Sequence, residues 1–128
     1  MENEFLKGRK ILIVEDDLSS RLYLNKILEK TGVKLLNAGD GKEAIDIALG
    51  NPDIDIILMD IQLPVMDGYT STIKIREFRE NIIIIAQTAN GLLGEKEKII
   101  DSGFNDYIIK PIYSQNLIEK LIANLARK

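Results

Sequence analysis

The amino-acid sequence predicts a doubly wound α/β fold, in which helices cover both faces of a parallel β-sheet. Short runs rich in β-branched residues alternate with longer segments of helical period, and five such units follow one another without a long linker. Residues 82–86 are continuously apolar, which is typical of a central strand buried on both faces. Because strand–helix–strand connections are right-handed, this alternation favours parallel strands.

The predicted elements follow in order along the chain. We expect strands at residues 10–14, 33–37, 54–59, 82–87 and 106–109. Asp17 is expected to cap the first helix, and Asp40 with Glu43 to form a capping box on the second. Three glycines are each placed to end a helix in the left-handed conformation, namely Gly32, Gly50 and Gly103.

The last helix is predicted to dock by one apolar face, with polar residues that include Lys120 and Asn124 facing elsewhere. The apolar stripe consists of Leu117, Ile118, Leu121, Ile122 and Leu125.

Length and composition narrow the possible functions. The 128 residues are 45% hydrophobic and 29% charged, which predicts one globular domain over 1–128. The absence of Cys and His excludes disulfides, thiolate nucleophiles, Ser-His-Asp triads and His-based zinc sites. A net charge of -3 with both signs scattered argues against nucleic-acid binding. Without a signal peptide or a membrane-spanning run, we expect a cytoplasmic protein with no membrane contact.

Charged and polar residues follow the predicted strands where ligands bind in open parallel sheets, at the carboxyl ends. These residues are Glu15, Asp16, Asp60, Thr88 and Lys110. Two carboxylates about 5 Å apart repel by roughly 3 kcal/mol at an effective dielectric constant of about 20, so three of them together favour a bound cation. Oxygen ligands without His or Cys favour Mg2+, although simple surface acidity is the alternative.

Asp60 follows a run too apolar to be an exposed strand, so the core anchors its carboxylate. Beside Mg2+ such a carboxylate can attack phosphorus in line and form an aspartyl phosphate. Lys110 and Thr88 could then bind phosphoryl oxygens. Taken singly, each residue also has an ordinary structural interpretation: a turn for Asp60, a strand-end lysine for Lys110, and β-propensity for Thr88. Tyr107 could simply cover the core.

Four segments together resemble the receiver domain of two-component response regulators. They are residues 11–17 (ILIVEDD), 59–68 (MDIQLPVMDG), 87–89 (QTA) and 107–112 (YIIKPI). The similarity extends from about residue 10 to residue 125, and the four motifs in this order are highly specific. The resemblance implies a flavodoxin-like sheet of five strands in the order 2-1-3-4-5, with five helices in an α/β/α sandwich.

The resemblance also implies residue roles. Asp60 matches the phosphoacceptor, and Asp16 matches the acid that binds Mg2+ together with Asp60 and the backbone carbonyl of Gln62. Glu15 matches a second acidic position, where many members have Asp, and would act through water.

Four further positions match the residues around the phosphoryl group. Thr88 and Lys110 match the residues that hold the phosphoryl oxygens, joined by the Ala89 backbone N–H, and Tyr107 matches the aromatic switch. The Lys110–Pro111 peptide is expected to be cis, as in the family. Gln62 and Asn90 would flank the phosphate and tune its lifetime.

The implied function is phosphoryl transfer to Asp60 from a phosphohistidine on a sensor histidine kinase or histidine phosphotransfer protein. The modified domain would change its helix 4, strand 5 and helix 5 surface and act on a downstream effector by contact, without being an enzyme in its own right. It could stand alone or belong to a hybrid sensor kinase. A haloacid-dehalogenase-type phosphotransferase would need a second Asp where Gln62 stands, and a pseudo-receiver would not need the acids.

Overall fold

A computed structural model describes residues 3–89, 91 and 93–127. The strands are β1 (Lys10–Val14), β2 (Lys34–Ala38), β3 (Ile56–Asp60), β4 (Ile83–Thr88) and β5 (Asp106–Ile109). The helices are α1 (Leu18–Glu29), α2 (Gly41–Gly50), α3 (Gly68–Phe78), α4 (Leu93–Asp101) and α5 (Ser114–Ala126). All strand pairs are parallel, and the sheet order is β2-β1-β3-β4-β5, which confirms the predicted fold.

Strand bounds agree with the prediction for β1 and β5, whereas the three other strands begin and end later than expected. Asp60 and Thr88 are therefore the last residues of strands and not the first residues after them. The register explains this, because Asp60 is aligned with Gln87 and Thr88 with Ile109. Backbone pairing between strands thus includes Asp60 and Thr88 and fixes the directions of their side chains.

The hydrophobic core has two layers because successive strand residues point to opposite faces of the sheet. On one face, Leu12 and Val14 belong to a cluster completed by α2, α3 and α4. On the other face, Ile11 and Ile13 pack with α1 and α5. The sheet is therefore buried on both sides, as the apolar β4 sequence predicted.

The helix caps mostly follow the sequence. Asp17 accepts a hydrogen bond from the Ser20 N–H at 2.8 Å, and Asp40 accepts one from the Glu43 N–H at 2.8 Å. Glu43 reaches back to the Gly39 N–H at 3.1 Å, which completes a capping arrangement one residue earlier than expected.

Two of the three expected glycine caps are confirmed, since Gly32 and Gly103 have φ values of +88° and +103°. The prediction for Gly50 is wrong, because Gly50 remains inside α2 and is not among the positive-φ residues. Asn51 ends the helix with φ of -136°, and its Nδ2 donates to the Ile47 carbonyl at 2.9 Å. This side-chain bond satisfies a carbonyl of the last turn without a left-handed residue.

Helix α5 docks by the predicted stripe, with Leu117, Leu121 and Leu125 buried. The sequence placed Asn124 off the apolar stripe but did not predict its burial. Asn124 is buried and donates from Nδ2 to Oδ2 of Asp106 at 2.9 Å. Because Asp106 starts β5, its hydrogen bond with Asn124 fixes α5 to the sheet in addition to the contacts of the apolar stripe.

Candidate functional site

A cavity of about 410 Å³ opens at the carboxyl end of the sheet. Of the predicted site residues that the structure describes, all except Tyr107 line it, namely Glu15, Asp16, Asp60, Gln62, Thr88, Ala89 and Lys110. The structure therefore brings together, on one edge of the sheet, residues that are up to 95 positions apart in sequence.

Three carboxylates converge in this cavity. Glu15 and Asp60 are buried, Asp16 is exposed, and one oxygen atom of each lies within 4.8 Å of the others. Burial, and then the charge of Asp60, raise the pKa of Glu15 to about 7. Such a set of oxygen donors, without nitrogen or sulfur, fits a hard divalent cation.

Lys110 supplies a positive charge to the same cluster. Its Nζ lies 2.8 Å from Oδ2 of Asp60 and 3.5 Å from Oε2 of Glu15. Burial alone would lower the pKa of Lys110, but the hydrogen bond to Asp60 and the charges of both acids raise it. The Lys110–Pro111 peptide is cis, which confirms the prediction.

Two neighbouring segments of backbone, at Gln62 and at Gly68, fix the position of Asp60. Its Oδ1 accepts a hydrogen bond from the Gln62 N–H at 3.1 Å, so Gln62 contacts the acid through its main chain. Behind it, a Cβ atom added to Gly68 would lie 2.3 Å from the Asp60 carbonyl oxygen. Glycine at the start of α3 therefore allows the helix to approach the backbone of Asp60.

Thr88 is buried at the end of β4, and its hydroxyl donates to Oε1 of Glu95 on α4 at 3.2 Å. Ala89 follows it on the cavity wall. Asn90, which was expected to flank the phosphate, lies outside the described residues.

Tyr107 lies in β5, half-buried and away from the cavity lining. Its ring lies between two ammonium groups, with Nζ of Lys96 at 5.6 Å and Nζ of Lys120 at 5.2 Å from the ring centre. These lysines belong to α4 and α5, so the aromatic ring connects both helices to β5.

Comparison with known proteins identifies the family. Residues 11–122 match the family described as "Response regulator receiver domain". The chain belongs to this family and is a receiver domain of two-component systems.

The receiver domain is 38% identical over 127 residues to hybrid signal transduction histidine kinase I of Dictyostelium discoideum, covering 93% of this chain and 7% of that protein. It spans between 6% and 17% of the length of five curated relatives.

Two solved structures share the fold of this receiver domain. The receiver domain of sensor histidine kinase PA1611 from Pseudomonas aeruginosa is 36% identical, with a TM-score of 0.81 and coverage of 91% and 96%, and is described with magnesium coordinated in the active site cleft. The receiver domain of Ssk1 from Saccharomyces cerevisiae, solved in complex with the histidine phosphotransfer protein Ypd1, is 31% identical, with a TM-score of 0.84 and coverage of 90% and 87%.

Five residues that line the site of this receiver domain were not predicted as site residues, namely Asp17, Ser20, Ile61, Gln87 and Glu95. Gln87 carried a signal, because it is a polar residue at the end of an apolar run directly before Thr88. Glu95 carried none, since a glutamate in the first turn of a helix is ordinary.

Among the helices of the described residues, none combines the length and the apolar character that a membrane span requires.

Proposed function

We propose that Asp60 accepts a phosphoryl group from a phosphohistidine on a sensor histidine kinase or a histidine phosphotransfer protein. The convergence of the Glu15, Asp16 and Asp60 carboxylates carries this proposal, with Nζ of Lys110 close to two of them. Isolated surface acids would not need such an arrangement, whereas a doubly charged phosphoryl group needs cations on several sides.

The transfer forms a bond between an Asp60 carboxylate oxygen and phosphorus while the P–N bond of the phosphohistidine breaks. The electron pair of that bond goes to the imidazole nitrogen of the partner. The partner must supply the histidine, because this chain contains none. In the phosphorylated protein, Lys110, the Thr88 hydroxyl and the Ala89 N–H hold the phosphoryl oxygens.

The acidic residues of this chain would hold Mg2+. Asp16, Asp60 and the backbone carbonyl of Gln62 are the proposed ligands, and Glu15 acts through water. When bound, Mg2+ supplies charge that offsets the repulsion between the carboxylates and the incoming phosphoryl oxygens. The exposed Asp16 leaves this side of the cluster open to solvent and to a partner.

Phosphorylation replaces the single negative charge of the Asp60 carboxylate by a phosphoryl group that carries about two. We propose that Thr88 then moves toward the phosphoryl group and that Tyr107 turns into the space it leaves. Since Tyr107 contacts lysines of both α4 and α5, its movement changes the α4, β5 and α5 surface. A downstream effector would read that surface by contact.

We place the function in residues 1–128 as a single receiver domain with a core at 10–125. The domain acts as a phosphoacceptor, with slow loss of its own phosphate, either alone or as part of a hybrid sensor kinase. Both contexts require the same site. Membership of the receiver family and the amide at Gln62 favour this function over a haloacid-dehalogenase-type phosphotransferase.

Labelling with radioactive acetyl phosphate tests the proposal. The natural protein should incorporate label in the presence of Mg2+ and should not incorporate it when EDTA is added before the acetyl phosphate. Asp60→Asn should not be labelled under either condition. Asp46→Asn, an exposed acid on α2, is the matched control and should label normally. Full labelling of Asp60→Asn, or sustained hydrolysis of a phosphomonoester, would contradict the proposal.

A further inference from the structure

The Thr88 hydroxyl already has a partner outside the acidic cluster. It donates to Oε1 of Glu95 at 3.2 Å, and this bond joins the end of β4 to the first turn of α4. Glu95 also lines the cavity that contains Asp60. The hydroxyl proposed to bind phosphate and the carboxylate that accepts its hydrogen bond therefore share the wall of the phosphorylation cavity.

We propose that Glu95 is a positioning residue that competes with the phosphoryl group for the Thr88 hydroxyl. This inference rests on the proposed function, in which Thr88 binds a phosphoryl oxygen at Asp60. A threonine hydroxyl has a single hydrogen to donate, so a bond to Glu95 and a bond to the phosphoryl group exclude each other. Phosphorylation must break the first bond to form the second.

Charge acts in the same direction. A phosphoryl group on Asp60 would raise the negative charge at this position from one to about two in the cavity that Glu95 lines, so Glu95 would be repelled as Thr88 is attracted. Phosphorylation of Asp60 thus weakens the contact of Thr88 with Glu95 and supplies a phosphoryl oxygen as the new acceptor. Release of Thr88 then accompanies displacement of Glu95, which couples the phosphoryl group to α4.

Glu95 has a place to go once Thr88 leaves it. It also lines a neighbouring cavity of about 620 Å³, together with Tyr69 and Lys98. Burial, and then the proximity of Glu95, raise the pKa of Tyr69 to about 12. Nζ of Lys98 lies 4.4 Å from the centre of the Tyr69 ring, and Lys98 follows Glu95 by three positions on the same helix. A displaced Glu95 can pair with this ammonium group.

The competition lowers the affinity of the unmodified protein for a phosphoryl group, because the Thr88–Glu95 bond must be lost on binding. A hydrogen bond to a charged acceptor at a half-buried site corresponds to about a three- to tenfold change in a binding constant. Removing the Glu95 carboxylate should therefore tighten binding of a phosphoryl analogue by about that factor.

Calorimetric titration with beryllofluoride at saturating Mg2+ measures this effect. We expect Glu95→Ala to bind about three- to tenfold more tightly than the natural protein, and Glu95→Gln to lie between the two because its amide oxygen remains an acceptor. Glu97→Ala is the matched control, since it removes an exposed carboxylate from the same helix without touching the cavity. It should bind like the natural protein.

The double variant Thr88→Ala/Glu95→Ala separates the hydrogen bond from general charge repulsion. Without the hydroxyl, removal of Glu95 should bring a smaller gain in beryllofluoride affinity than it brings in the natural protein, because only the charge repulsion is then relieved. An equal gain in both backgrounds would overturn the proposal in favour of repulsion alone. Unchanged affinity in Glu95→Ala would also overturn it, whereas failure of the natural protein to bind beryllofluoride would count against the proposed function itself.

A measurement without metal tests the bond directly. Urea unfolding in EDTA compares the natural protein, Thr88→Ala, Glu95→Ala and the double variant. The losses in the free energy of unfolding caused by the two single substitutions should not be additive, because each removes the same hydrogen bond. Additive effects would show that the two side chains are not coupled and would overturn the proposal.

Discussion

Nζ of Lys110 lies 2.8 Å from Oδ2 of Asp60 and 3.5 Å from Oε2 of Glu15. One ammonium group thus lies between two buried carboxylates, while its own side chain remains 33% exposed. Before any phosphoryl group arrives, this contact offsets part of the repulsion between the acids. The residue proposed to hold the phosphate therefore also stabilises the unphosphorylated site.

Replacing Lys110 by alanine should destabilise the protein. Loss of one partner from a buried ion pair costs about 3–5 kcal/mol, and solvent access to Lys110 reduces the expected loss to about 1–3 kcal/mol. Urea unfolding in EDTA measures it. Lys42→Ala, which breaks an exposed pair with Asp46, should cost no more than about 0.5 kcal/mol.

The double variant Lys110→Ala/Asp60→Asn checks the cause. With Asp60 neutral, Glu15 no longer faces a second charge, so the double variant should be more stable than Lys110→Ala. A double variant that is less stable would show that Lys110 contributes mainly by packing and not by its charge.

Gly68 and Gly50 should respond in opposite directions to alanine. A Cβ atom at Gly68 would lie 2.3 Å from the Asp60 carbonyl oxygen, whereas one at Gly50 meets no heavy atom within 4 Å. We expect Gly68→Ala to cost about 2–3 kcal/mol and to weaken beryllofluoride binding, because α3 must move away from Asp60. Gly50→Ala should be neutral or stabilise by up to about 1 kcal/mol. Urea unfolding decides, and equal effects at both positions would contradict the packing argument.

A comparison of Gly50 with Gly32 also shows how far the sequence predicts the structure. Gly50 stands near the end of a helical segment just as Gly32 does, but only Gly32 adopts a positive φ. The difference arises from the neighbouring Asn51, whose side chain satisfies a helix carbonyl. Local composition therefore predicted that α2 ends near Gly50, and a side-chain hydrogen bond determined how it ends.

The candidate site divides in a similar way. Residues at strand ends were predictable, because the topology of a parallel sheet brings those ends to one edge. Glu95 was not, since its contact with Thr88 depends on where α4 packs and not on a pattern in its own helix. Asn124 is a third case, because its position off the apolar stripe did not indicate that Asp106 is its partly buried partner.

Arg76 is expected to stabilise the edge of the sheet opposite the site. Its guanidinium donates to the Gly103 carbonyl at 2.9 Å and to Oδ1 of Asn105 at 2.6 Å, and also bonds to the Ile82 carbonyl. Burial lowers its pKa. The planar fork of donors holds the end of α3, the start of β4 and the turn before β5 together.

Arg76→Lys should therefore cost about 1–2 kcal/mol although the charge is kept, because one ammonium cannot reach all these acceptors. Thermal and urea unfolding measure the loss. Lys74→Ala, an exposed residue of the same helix, is the control and should stay within about 0.5 kcal/mol of the natural protein. A neutral Arg76→Lys would mean that the charge alone matters.

Asp106 should make stability depend on pH in the acidic range. Burial alone would raise its pKa, but hydrogen bonds from Asn124 at 2.9 Å and Lys120 at 3.0 Å, with a backbone N–H, lower it below the ordinary value. The folded protein therefore binds this proton less readily than the unfolded chain does. The stabilisation is fully present above the unfolded pKa of about 3.9 and is lost as the pH falls through the lower folded value.

Asp106→Asn removes this contribution, because an amide cannot form the charged contact with Lys120. The natural protein should be more stable than the variant at pH 7, and the difference should shrink as the pH falls from about 5 toward 2. Urea unfolding across this range measures the difference, with the exposed Asp101→Asn as the control that should show little change. If the difference stayed constant with pH, Asp106 would act through neutral hydrogen bonds alone, and its depressed pKa would not contribute to holding α5 against β5.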